Sequence, residues 1–142
     1  LRFMLVGITL SGGDGIQLRV SDDNGATYKS SGYQYQYTIN ASSGSAATQV
    51  QSYGNASASG INLSPSATTS YLQGYVDVFS PDQANDLLLA KFDLFNTSGT
   101  NTNGQILGLG YYGVQDAITA LEFKTTSATF TAGTIYLYVI SC

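Results

Sequence analysis

The chain has no histidine, no tryptophan, one cysteine and few ions, and each shortage removes a class of function. Without an imidazole, the Ser-His-Asp and Cys-His arrangements are excluded, and the commonest general base is gone. The single cysteine, Cys142, leaves no intrachain disulfide and gives no information on redox compartment. Charged residues are 10% of the chain, against about 25% in an average protein. The five bases, Arg2, Arg19, Lys29, Lys91 and Lys124, are scattered, so no basic face exists to neutralise phosphates. Neither nucleic acid nor an anionic membrane surface is expected as a partner, and no run approaches the roughly 20 apolar residues of a membrane span.

What is present is hydroxyl and amide polarity, abundant glycine and eleven tyrosines. A chain of 142 residues has the length of one domain, and we expect a single domain over 1–142. A start on Leu1 instead of Met raises the expectation that this is the C-terminal part of a longer chain.

Period-two alternation recurs along the sequence, and no segment holds a helical period over the 11 or more residues that a helix assignment requires. Leu1–Leu10, with Arg2 and Gly7 inside it, reads as a strand too short to be a complete secretory signal. Ile16, Leu18 and Val20 alternate with Gln17, Arg19 and Ser21, and Tyr33, Tyr35, Tyr37 and Ile39 with Gln34, Gln36 and Thr38. Leu72, Gly74, Val76 and Val78 lie opposite Gln73, Tyr75 and Asp77, and the turn Ser80-Pro81-Asp82 ends that strand. Leu88, Ala90, Phe92 and Leu94 point inward while Lys91 and Asp93 point to water. After the turn run Asn96–Gly104 come Ile106–Tyr112, Ile118–Lys124 and Thr134–Ser141. The expected fold is all-β, a single antiparallel β-sandwich of the jelly-roll kind with about eight strands, and a ninth hidden around Thr48–Tyr53. The segment Ala41–Ser70, with 23 of 30 residues Ser, Ala, Gly, Thr or Asn, reads as a long loop or irregular edge inside that domain.

One local motif stands out. Ser21-Asp22-Asp23-Asn24-Gly25-Ala26-Thr27-Tyr28 fits the pattern Ser-x-Asp-x-Gly-x-Thr-aromatic and resembles the Asp boxes of sialidase-like propellers and of unrelated β proteins. Asp23 is placed to accept turn N–H groups, Gly25 to adopt positive φ, and Tyr28 to cover a hairpin running from Ile16 to Tyr37. Asp23→Ala is accordingly expected to lower the denaturant midpoint. The alternative role for Asp22 and Asp23 is calcium binding; otherwise no metal and no cofactor is expected. A single copy gives no propeller.

Paired carboxylates for glycoside hydrolysis would have to come from Asp77, Asp82, Asp86, Asp93, Asp116 and Glu122, which read as solvent-facing acids. The four Asn-x-Ser sequons, at Asn40, Asn55, Asn62 and Asn96, are what a chain rich in Asn and Ser yields by chance. Tyrosine serves equally in a core rim, an interface or a sugar platform. Tyr33, Tyr35, Tyr37, Gln34, Gln36, Gln73 and Tyr75 are the candidate interface or glycan contacts. They fall in the uncharged run Ser30–Val76, 47 residues long, part of which must be surface and is expected to be covered by another chain.

The order of these segments resembles a β-sandwich module of tailed-bacteriophage virion proteins. The resemblance rests on Asp14-Gly15-Ile16-Gln17-Leu18-Arg19-Val20-Ser21, the Asp-box-like turn, and Tyr33-Gln34-Tyr35-Gln36-Tyr37. It continues through Tyr71–Pro81, Ala117–Phe123 and Phe130–Tyr138, and such modules often close on Leu-Tyr-Gly-Ile, where this chain has Leu137-Tyr138-Val139-Ile140. The resemblance implies a non-enzymatic virion structural protein on a tail fibre, tail appendage or head surface (capsid decoration), with no catalytic residues to carry over. It also implies other virion proteins as partners and a homo-oligomer, a trimer favoured. A host cell-surface glycan is a further partner if the module serves host attachment. A carbohydrate-binding or adhesin module is the alternative, and a glycosidase the third reading.

Overall fold

The computed structural model describes residues 1–12, 15–43, 49–64, 71–79, 87–97, 102–125 and 127–139. The turns at Gly13–Asp14 and Ser80–Asp86, the acids Asp82 and Asp86, and Cys142 lie outside the described residues, as do residues 98–101 of the turn run Asn96–Gly104, whose two ends belong to strands. Ten strands and no helix are found among the described residues. They are β1 (Arg2–Leu10), β2 (Ile16–Ser21), β3 (Tyr33–Ser43), β4 (Gln49–Ala58), β5 (Ile61–Asn62), β6 (Tyr71–Phe79), β7 (Leu88–Thr97), β8 (Thr102–Tyr112), β9 (Ala120–Thr125) and β10 (Phe130–Tyr138). Seven form one sheet in the order β10-β1-β6-β7-β8-β3-β4, and three form the other in the order β5-β2-β9. Every pairing is antiparallel. The antiparallel β-sandwich expected from the sequence is the observed architecture.

Three expectations of detail are corrected. The segment Ala41–Ser70, read as a loop, carries the end of β3, the edge strand β4 and the short β5; small polar residues can still satisfy a ladder through their backbone. The last two strands start at Ala120 and Phe130 instead of Ile118 and Thr134. The stretch Ile16–Tyr37 is not a hairpin: β2 pairs with β5 and β9, β3 with β4 and β8, so the Asp-box-like turn links the two layers.

The core lies between the layers. Ile16, Leu18 and Val20 of β2 meet Leu5, Leu72, Val76, Phe92, Leu94 and Ile106 of the large sheet, all essentially inaccessible. Phe3 packs edge-on against Phe123 of β9 with ring centroids 5.0 Å apart. Gly108 and Gly110 leave room for core side chains of neighbouring strands. A Cβ on Gly108 would sit 2.1 Å from the Phe92 ring, and one on Gly110 would sit 2.3 Å from Ile61. In the strand Ile106-Leu107-Gly108-Leu109-Gly110 the glycines therefore face the core, and the two leucines face outward at about two-fifths exposure.

Gly108→Ala is expected to destabilise the domain by about 1–3 kcal/mol through overpacking, whereas Leu109→Ala should shift stability by no more than about 0.5 kcal/mol. Urea unfolding midpoints of the two variants test this, and the reverse order would mean that the assigned faces of β8 are wrong.

Candidate functional site

Two features were open to a functional role: the Asp-box-like turn and the tyrosine-bearing surface. In the turn, Ser21 is fully buried at the end of β2. Its hydroxyl donates to Asp23 Oδ1 at 2.6 Å and accepts the N–H of Asp23 at 3.2 Å and of Gly25 at 3.0 Å. The Asp23 carboxylate also accepts the Thr27 N–H at 2.9 Å and the Thr27 hydroxyl at 2.6 Å. Asn24 and Gly25 adopt φ of 60° and 84°, the left-handed region that Asn and Gly tolerate best. Tyr28 leans over Gly25, as expected from the motif.

The turn is tied to the rest of the molecule by residues that the motif did not indicate. Asn24 donates its N–H to Thr119 Oγ1 at 2.8 Å, and Thr119 donates its N–H to the Ser21 carbonyl at 2.8 Å. Arg19 donates to the Tyr28 and Lys29 carbonyls at 2.7 and 3.0 Å, with Glu122 3.5 Å away. The calcium candidates are otherwise engaged: Asp22 pairs with Lys29 at 2.5 Å, and both oxygens of Asp23 hold Ser21 and Thr27. No cluster of three or more metal-binding side chains occurs among the described residues.

Hydrogen bonds from Ser21 first and Thr27 next hold the Asp23 carboxyl well below the usual carboxylate range. The Arg2 guanidinium, bonded to Asp77 through Nε and Nη2 at 2.7 and 2.8 Å, lowers Asp77 in the same sense.

The tyrosines of β3 point the other way from a surface site. Tyr33 and Tyr37 are buried and Tyr35 is half-buried against the core, so Tyr33 and Tyr37 are corrected from contact residues to core residues. Tyr33 accepts the Val20 N–H at 2.9 Å and donates to the Lys29 carbonyl at 3.3 Å, joining the two sheets. The alternate residues Gln34 and Gln36 lie on the outer face of the large sheet, together with Gln73 and Tyr75 of β6.

That outer face is the candidate site. One row across the strands reads Tyr138, Arg2, Asp77, Lys91, Leu109, Gln36, and the next reads Tyr136, Met4, Tyr75, Asp93, Leu107, Thr38. Phe79 and Leu89 flank the first row, and Phe95 flanks the second. Nine apolar side chains of the face, Met4, Val6, Phe79, Leu89, Phe95, Leu107, Leu109, Tyr136 and Tyr138, are each 38–49% exposed. Arg2 caps Tyr75, its guanidinium 4.6 Å from the ring centroid. Asp93 accepts the Gln105 amide at 2.9 Å, and Lys91 makes no hydrogen bond or ion pair among the described residues. Over β7, β8, β3 and β4 the face sinks into two adjoining depressions of about 800 and 590 Å³ that share Gln36, Gly54 and Leu109. The sequence marked the amides of this face but not its apolar members, whose strands alternate between two sets of hydrophobic residues.

No protein-family model, curated protein or solved structure matches the chain.

Ser21→Ala removes three bonds from a buried hydroxyl and is expected to cost about 1–3 kcal/mol. The acids give a pH signature. Their folded pKa values lie below the unfolded value of about 4, so their contribution is complete above about pH 5 and is lost progressively as the pH falls below the unfolded value and on through the folded ones. The urea midpoint should therefore drop between about pH 5 and pH 2.5, with a shallower drop in Asp23→Asn. Identical slopes for wild type and variant would remove Asp23 from the acid response.

Proposed function

We propose that this chain is a non-enzymatic structural protein of a bacteriophage particle, exposed on a tail fibre, tail appendage or head surface, that works by packing the outer face of its large sheet against another protein. The observation that carries the assembly role is the apolar character of that face. An antiparallel sheet with one face on the core normally turns polar residues to water on the other. Here the second face keeps Phe, Leu, Met and Tyr, and its ions are confined to one short stripe. A contiguous exposed patch of this kind marks an interaction surface. The phage assignment rests on the strand-by-strand resemblance of the sequence.

The carbohydrate-binding reading is favoured by one feature, the depressions beside Gln34, Gln36 and Asn55. Amides there would bond sugar hydroxyls while Leu109 and Tyr111 meet an apolar sugar face. A glycan array of bacterial surface polysaccharides separates the two, since binding at millimolar concentration that is lost in Gln36→Ala would favour the sugar.

Placing lysine at Gln34, Gln36 or Gln73, or at Leu107, puts an ion into the proposed contact, which costs several kcal/mol if the contact is dry and almost nothing in solvent. Each variant should fold with a wild-type urea midpoint yet be depleted from purified particles, measured by quantitative mass spectrometry. Wild-type incorporation of all four would take this face out of assembly.

A further inference from the structure

Resting on the reading of the outer sheet face as an assembly surface, we propose that its partner is a second copy of this chain. The two copies are related by a two-fold axis that lies in the contact plane, runs across the strands and passes β7 at Phe92, so that Lys91 of each copy meets Asp93 of the other.

Size is the first argument. At about two-fifths exposure, the four aromatic side chains, at roughly 150–250 Å² each, and the five smaller aliphatic ones together offer on the order of 700 Å². That exceeds the usual largest patch of a monomer, about 300–600 Å², and approaches the roughly 800 Å² per partner of a stable interface.

Charge is the second. The two described rows of the face carry four ions, Arg2, Asp77, Lys91 and Asp93. Arg2 and Asp77 neutralise each other within the copy through two hydrogen bonds. Lys91 stands across the strand from Asp77 and acts on its charge, but makes no ion pair or hydrogen bond among the described residues, and one anion, Asp93, is bonded only to uncharged donors. They stand two residues apart on the same face of one strand. Burying either alone is costly, and burying them against each other offsets much of that cost. An unrelated partner would have to bring an acid and a base at the matching spacing, whereas a second copy brings them by symmetry, as an isologous contact requires.

Position is the third. β7 is the fourth of the seven strands, with three on either side, and Phe92 is near the middle of its length. A two-fold axis across the strands at the level of Phe92 sets every strand over its own copy, and because that level is near mid-strand it overlays most of each face on the other. It sets the Arg2–Asp77–Lys91–Leu109 row over the partner's Met4–Tyr75–Asp93–Leu107 row, so the partner's Leu107 meets Leu109. Strand directions then fall within the roughly 30° usual for packed sheets. The product is a dimer, where the sequence resemblance favoured a trimer.

Light scattering coupled to size exclusion reads the mass directly, and we expect twice that of the 15.0-kDa chain. Lys91→Asp alone sets acid against acid and Asp93→Lys alone sets base against base, so each should weaken self-association at least tenfold. An equimolar mixture of the two variants, and the double variant Lys91→Asp/Asp93→Lys, should dimerise like wild type. Circular dichroism verifies folding. If Asp93→Lys unfolds for want of its bond to Gln105, the comparison passes to Lys91→Asp, expected to be monomeric, and Lys91→Arg, which keeps the cation and is expected to be dimeric; equal behaviour of these two overturns the proposal. So does a monomeric or trimeric wild type, or a folded mixture that fails to pair. A monomeric wild type whose Leu107→Lys variant is still lost from particles would leave the face an assembly surface with a different partner.

Discussion

Three strands cannot cover seven, and most of this molecule follows from that mismatch. The small sheet β5-β2-β9 shields only the middle of one face of the large sheet. Its contact must therefore be close, which explains why β8 turns bare glycine backbone toward Phe92 and Ile61. Away from that cover, burial fails: every residue of β10 except Ile135 is exposed, with Leu137 at 55% although it lies on the inner side opposite Phe3. The large sheet owes its stability to a core on one side only, while its other side keeps a hydrophobic character that the monomer does not use.

The connection between the layers is where polar chemistry is spent. The chain leaves β2 through the Ser21–Tyr28 turn and enters β3 at Tyr33, whose hydroxyl reaches back to Val20 and Lys29. Burial raises the Tyr33 pKa, so the phenol stays neutral and able to donate. Arg19 closes the same corner on the solvent side by holding two carbonyls of the turn exit. Unpaired backbone groups at a sheet-to-sheet crossing would be expensive, and these side chains serve in place of a ladder. The Asp-box-like motif is thus an architectural joint, and the surface open to recognition is the sheet face.

The sequence was a good guide wherever alternation met a one-sided burial. In β6 and β7 the inward set, Leu72, Val76, Val78, Leu88, Ala90, Phe92 and Leu94, is buried as the pattern indicated. It was a poor guide where both faces are apolar or both are polar. In Ile106–Tyr112 the pattern cannot tell that glycine belongs inside and leucine outside, because the steric reason lies in Phe92 and Ile61, on other strands. In β4 small polar residues hid a ten-residue strand. On β3, tyrosine and glutamine alternate cleanly, and only the phenol's long-range bonds decide that the rings go in and the amides out. Thr119 and Arg19 were invisible to the motif because their contacts with it are made through the fold.

The pairing of β1 with β10 has a further consequence, which concerns time. Arg2 is matched with Tyr138, so the two strands that meet at this side of the sheet are among the first and last segments of the described chain to leave the ribosome. During synthesis β1 must wait with an apolar, uncapped edge until the intervening segments have emerged, first for β6 and then for β10. Closing so large a loop is an entropic cost met before the contact rewards it, and topologies built on such distant pairings fold slowly. Edges exposed for that long invite pairing with the wrong chain. Of the described strand pairs, β1 with β10 closes the longest loop and so bears the largest such cost.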